Sequence, residues 1–341
     1  MQMRDDLGIT TKLENGKAYL EFALPEKIGR LLSALQIEIW EGAEGERLVF
    51  HGEYLSEEAD SMTALLLRPH LWDGMRDPYV YRVKAKGRFG TVEYGEKMGG
   101  TKNEEESDPA ENITEIVEVF WRQELAIYDV RVVDKKGIFL NEKEFLPHEV
   151  AYRFPAQISD VGTRVEQVRR DLERLVRMGV NVIRLEGTGT GAEGVNCSEV
   201  RTFYSLCRKR GFLTGDLWIR PENLPVYRGL PGETMAEALL AADGRTLTER
   251  YYYYQAKWNS EPVLYPALST LHRQENGLLS LTIYSNQKKV VLYVDGVLFL
   301  FQTAASGDPE FIFEDIPVAK LPLHLAAEAG NLSISLTVTK L

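Results

Sequence analysis

Glu186 and Asp216 are the side chains in this 341-residue chain best placed to do chemistry. Each ends a predicted parallel strand, at 180–185 and 212–217. Barrel enzymes hold their reactive groups at the carboxyl ends of such strands. Two carboxyls about 5–5.5 Å apart at such ends would serve as acid and nucleophile. Solvated or ion-paired strand ends are the expected reading, and a rearranged catalytic pair is the alternative. Arg184 precedes Glu186 on the same strand. It is expected to pair with Glu186 or Asp216, with ligand binding as the alternative. Trp218 follows Asp216, and its ring is either a core or interface aromatic or a stacking platform.

Other chemical signals have plainer explanations. Asn141-Glu142 reads as a turn, and Asn103-Glu104 lies in an acidic, solvated loop around Glu104-Glu105-Glu106. The glycine-rich stretch at 188–194 lacks the Gly-Lys-Ser/Thr ending of a phosphate loop. His148 has no Ser or Cys at triad spacing. The two cysteines, Cys197 and Cys207, are ten residues apart with no CxxC. No metal site is expected, and Cys207, in helical step with Phe203, reads as a packing thiol.

Three segments must position these residues. From 8 to 130 the chain alternates like strands, most cleanly at Leu35-Gln36-Ile37-Glu38-Ile39-Trp40, with Asn15-Gly16 and Glu41-Gly42 as turns. From 131 to 249 helices alternate with apolar strands. At 160–178, Val165, Val168, Leu172, Leu175 and Val176 form one apolar stripe, closed by Gly179 as a C-cap. Asp171 and Arg174 read there as a surface charge pair. A second helix is expected at 198–210. From 250 to 341 the strand pattern returns, alternating at 279–284 and 332–338, with Asp295-Gly296 as a hairpin turn. The expected fold is multidomain α+β, with a β-sandwich at 1–130, a βα segment at 131–249 and a second sandwich at 250–341.

The bulk numbers narrow the function. Net charge is −11, with 44% hydrophobic and 27% charged residues. That balance argues against nucleic acid and anionic membrane surfaces as partners, which call for clustered Lys and Arg. No stretch approaches a membrane span. The opening Met1-Gln2-Met3-Arg4-Asp5-Asp6 has no apolar h-region, so a cytoplasmic location is expected.

Several motifs in order resemble one family. The run from Pro69 through Trp72-Asp73-Gly74 to Tyr81 is similar to the "LWDGRKDPYLY" segment of glycoside hydrolase family 2, the β-galactosidase and β-glucuronidase group. Gly137-Ile138-Phe139-Leu140-Asn141 resembles its "GFFLNG" hairpin. Residues 170–186 resemble "RDLELMKELGANAVRLSH", and 203–216 resemble "FYDLCDEYGLLVWDE". Tyr251-Tyr252-Tyr253-Tyr254 through Leu264 resembles the "YYYKALWSDEPVV" exit from the barrel, and 283–296 resembles a C-terminal sandwich motif.

The resemblance implies immunoglobulin-like sandwiches flanking a TIM-barrel-like segment. It also implies a carbohydrate substrate class and no cofactor. Arg184, Glu186, Asp216 and Trp218 become the carbohydrate-binding candidates. The family's general acid follows its fourth barrel strand and its nucleophile lies near the seventh. In this chain only 216–251 is available for that half, so the barrel is expected to be shortened and both catalytic glutamates absent. No counterpart of the family's sugar-binding jelly-roll domain is expected ahead of the first matched motif. The expected function is therefore a family-2-like protein of carbohydrate metabolism without glycosidase catalysis. The alternatives are an active β-glycosidase, through rearranged carboxylates or a partner chain, and a structural or interaction scaffold. A shortened parallel sheet would also expose an apolar edge. Either 221–248 or a second chain, such as a homo-oligomer partner, is expected to cover it.

Overall fold

The structure is a computed structural model. It describes residues 7–24, 32–42, 46–55, 62–92, 113–155, 158–186, 197–215, 224–228, 238–305 and 307–340. The chain divides into two compact units, 1–145 and 146–341. Strands predominate, with three helices among the described residues. None of those helices is long and apolar enough to cross a membrane.

The first unit opens with β1 (Gly8–Glu14), β2 (Lys17–Ala23), β3 (Leu32–Glu41), β4 (Arg47–Leu55), β5 (Thr63–Leu67), β6 (Tyr81–Val92) and β7 (Ile113–Leu125). They form two antiparallel sheets, ordered β1-β2-β5 and β4-β3-β6-β7. In β2 the inward residues Ala18, Leu20 and Phe22 are buried and their neighbours exposed, the period-two pattern of a strand with one wet face. Asn15 and Gly16, at φ 50° and 72°, make the two-residue turn into β2. Leu20, Leu35, Ile37, Val83 and Trp121 from both sheets share one core. This is a β-sandwich arrangement. A small antiparallel sheet of β8 (Val130–Val133), β9 (Gly137–Leu140) and β10 (Lys143–Phe145) follows. Asn141 and Glu142 both have positive φ and form the β9–β10 turn.

The second unit begins with β11 (Glu149–Arg153), α1 (Val161–Met178), β12 (Val182–Glu186), α2 (Cys197–Lys209), β13 (Leu213–Thr214), β14 (Val226–Arg228), β15 (Ala238–Leu240) and α3 (Glu249–Trp258). Its five strands pair in parallel in the order β13-β12-β11-β14-β15. The chain runs outward from β11 through β12 and β13, then returns on the other side of β11. Strands β14 and β15 both come from 221–248, the segment expected to cover an edge.

Helix α1 starts at Asp160, whose side chain accepts the Thr163 N–H at 2.7 Å. It stops at Gly179, in the left-handed region at φ 89°. A Cβ there would lie 2.7 Å from the Trp258 backbone, so glycine is required by both conformation and space. Val168, Leu172 and Leu175 are buried as the stripe predicts, but Val176 is exposed. Met178, Arg164 and Asp171 are buried in addition. Asp171 still pairs with Arg174, at 3.6 Å, but as a buried carboxylate rather than a surface one. Phe203 and Cys207 of α2 pack on the same core, and burial pushes the Cys207 thiol well up.

The remaining strands are β16 (Leu264–Arg273), β17 (Leu279–Ser285), β18 (Lys289–Val294), β19 (Val297–Thr303), β20 (Glu310–Ile316), β21 (Leu323–Ala329) and β22 (Leu332–Val338). Their sheets are β16-β17-β20 and β19-β18-β21-β22, around Leu281, Ile283, Leu292, Phe311 and Phe313. This strand order repeats that of β1 to β7. Strand β17 departs from the expected alternation, because Ser280 and Thr282 are buried as well as Leu281 and Ile283.

Candidate functional site

The parallel sheet places β11 between its chain neighbour β12 and the later strand β14. In open parallel sheets, ligands sit beyond the carboxyl ends at such a switch point. Here β11 ends in Arg153, β12 in Glu186 and β14 in Arg228. Arg153 Nε lies 3.1 Å from Glu186 Oε2, and its Nη1 donates to the Arg228 carbonyl at 3.4 Å. One arginine thus ties all three strand ends together.

Arg184, two residues before Glu186, points to the same side of the sheet. Its Nη2 is 3.0 Å from Oε1 of Glu149, a fully buried carboxylate at the start of β11. Glu149 is a partner that sequence reasoning missed. A buried arginine needs a buried counter-charge, and Glu149 supplies it. The available signal was the short apolar run Val150-Ala151-Tyr152 after Glu149, followed by a helix start. Glu186 remains 37% exposed on its side chain, so it faces solvent while paired. Asp216 and Trp218 lie outside the described residues.

Other carboxylates of this unit are engaged too. Asp160 caps α1. Glu199 of α2 is 3.3 Å from Arg164, both nearly fully buried. Asp243, just past β15, accepts from the Thr246 hydroxyl and from the Thr246 and Arg245 backbone. Those bonds lower its pKa to about 2. Hydrogen bonding from Thr163 likewise lowers that of Asp160. Among the described residues, no three His, Cys, Asp or Glu side chains gather as a metal site would require.

Beneath the sheet, Asp171 acts as a hub. It accepts from the hydroxyls of Tyr152 at 3.0 Å and Tyr227 at 3.1 Å, and from Gln167 at 2.8 Å. Arg228 Nη2 lies 2.5 Å from Oδ2 of this fully buried carboxylate. Burial, and then the Asp171 charge, push both tyrosine hydroxyls well above their ordinary pKa. They stay protonated and act as donors. The hub fixes β11 and β14 against α1, and so fixes the crevice between them.

No family model matches the chain, and no curated protein matches its sequence. Solved structures do match. An FMN-binding β-glucuronidase from Facaelibacterium prausnitzii L2-6 aligns at TM-score 0.61 and 15% identity, over 98% of this chain and 74% of that one. β-Glucuronidase 2 of Bacteroides uniformis aligns at TM-score 0.57 and 14% identity, over 98% of this chain and 61% of that one. A putative β-galactosidase from Bacteroides fragilis aligns at TM-score 0.58 and 14% identity, over 97% and 72%. In fold, the chain is similar to β-glucuronidases and a putative β-galactosidase, the group that its sequence motifs resemble.

Proposed function

We propose that this is a glycoside hydrolase family 2-like protein of carbohydrate metabolism without glycosidase turnover, kept as a carbohydrate-binding or assembly component. It is built as a sandwich at 1–130, a shortened barrel-like segment at 131–249 and a sandwich at 250–341. Five parallel strands among the described residues, where a complete barrel has eight, support the shortening.

The observation that carries the reading is the state of Glu186. A retaining glycosidase needs an acid and a nucleophile facing each other about 5–5.5 Å apart, with the acid's pKa raised. Glu186 is instead held by Arg153. Elsewhere in this unit, Asp160 and Asp243 have pKa values moved down, the wrong direction for a proton donor near neutrality. Arg153 and Glu186 at the crevice remain able to hydrogen-bond sugar hydroxyls, as a binding role requires.

The test is hydrolysis of aryl β-glucuronides and aryl β-galactosides by the full chain. No turnover above buffer is expected. Turnover that disappears in Glu186→Gln or Asp216→Asn would overturn the reading and restore the active-glycosidase alternative.

A further inference from the structure

A second cleft in the same unit is built from other elements. It is lined by Thr248, Glu249, Arg250 and Tyr253 at the start of α3, Tyr265 and Ser269 of β16, and Tyr284 of β17, and its volume is about 700 Å³. That lies in the roughly 300–1,000 Å³ range of small-molecule sites. Its walls are held in place. Tyr252 stacks on Tyr265, a lining residue, at 3.8 Å with the rings 5° from parallel. Tyr253 meets Tyr284 edge-on at 5.6 Å. Glu249 accepts the Ser269 N–H at 2.8 Å and also its hydroxyl, which joins α3 to β16. Burial and nearby carboxylates raise the hydroxyl pKa of Tyr265 and Tyr284, so both remain donors.

We propose that this cleft is a saccharide-binding site, separate from the strand ends. Aromatic faces suit the apolar face of a sugar ring. A fixed carboxylate, an arginine and two phenol donors suit its dense hydroxyls. Two other ligand classes use aromatic clefts, and both fit worse. A quaternary ammonium needs ring faces free of cations, whereas Lys257 Nζ already sits 5.6 Å from the Tyr253 ring and Arg250 lines the wall. A proline-rich peptide offers carbonyl acceptors and few N–H donors, so it would add little to the Glu249 carboxylate beyond the bonds from Ser269.

The site does not depend on Arg184 or Glu186. Its test can therefore fail while the reading of the strand ends stands. Saturation-transfer NMR and calorimetry on the full chain would use cellobiose, lactose and methyl β-D-glucuronide as probes. At least one is expected to bind saturably, with affinity falling tenfold or more in Tyr265→Ala and Tyr284→Ala and staying within twofold in Lys320→Gln, an exposed residue outside the cleft. Because Tyr265 also packs on Tyr252, circular dichroism and the thermal midpoint of each variant would be checked. Tyr284→Leu, which keeps apolar bulk but loses the ring and hydroxyl, decides if Tyr265→Ala does not fold. Three results would overturn the proposal. These are no saturable binding of any sugar, binding lost in Glu186→Gln but kept in the tyrosine variants, and binding of tetramethylammonium or a polyproline peptide in place of sugars.

Discussion

Replacing Asp171 by Asn tests the hub under the parallel sheet most directly. The substitution keeps shape and removes charge. Arg228, with only 3% of its side chain exposed, would lose the carboxylate 2.5 Å away. One of the hydroxyls of Tyr152 and Tyr227 would face an amide N–H₂ instead of an acceptor. Removing one partner of a buried ion pair costs about 3–5 kcal/mol, because the remaining charge stays buried. Four hydrogen bonds at about 0.5–1.5 kcal/mol each give about 2–6 kcal/mol, which brackets that range from the other direction. Urea unfolding followed by hydrogen exchange of α1 and β11 would read the loss in the second unit alone. The decisive comparison is Asp171→Asn with Arg228→Met in one chain. Removing both charges relieves the uncompensated one, so the double variant should be more stable than Asp171→Asn. A loss below about 1 kcal/mol in the single variant, outside the range for breaking such a pair, would refute the reasoning. So would a double variant less stable than the single one.

Two further perturbations follow from the same unit. Gly179→Ala adds a Cβ 2.7 Å from the Trp258 backbone at φ 89°, and should cost about 2–4 kcal/mol in denaturant midpoint through strain and overpacking. A neutral result would mean that the α1 terminus and Trp258 are not packed as described. His148 stacks on Trp258 at 5.2 Å, and burial lowers its pKa below the ordinary 6.5. The unfolded chain then takes up a proton first as pH falls. The stability contribution is present above about 6.5 and is lost below it, through the lower folded value. Urea midpoints at pH 7.5 and 5.5 should differ more in the native chain than in His148→Phe, and equal differences would contradict this.

The elements with local signals were readable in the sequence. Helix α1 and its glycine stop follow from a three- and four-residue apolar stripe and a left-handed cap, both properties of adjacent residues. Strand β12 follows from its unbroken apolar run. Strand β11 does not, because its five residues begin and end in charge and its central place comes from pairing on both sides. The Asp171–Arg174 pair is legible from its i,i+3 spacing, but the burial of Asp171 is not, because it comes from partners 19, 56 and 57 residues away. Glu149 was not legible as a partner of Arg184, because only parallel pairing of β11 with β12 brings it there. The tyrosine cleft was unreadable for the same reason, since Tyr265 and Tyr284 meet α3 only after their strands have paired with each other.

The repeated strand order has a consequence for assembly on a single chain. Sheets β1-β2-β5 and β16-β17-β20 offer the same backbone template twice, and multidomain chains with like domains are prone to exchanging strands while folding. Their side chains discourage the exchange. Strand β2 carries Lys17, Tyr19 and Glu21 on its outer face, whereas β17 is buried on nearly every residue. If β2 entered the place of β17, it would bury a lysine and a glutamate without partners. Divergence between the two sandwiches thus acts as proofreading, because a misplaced strand is rejected by its charges before its hydrogen bonds can hold it.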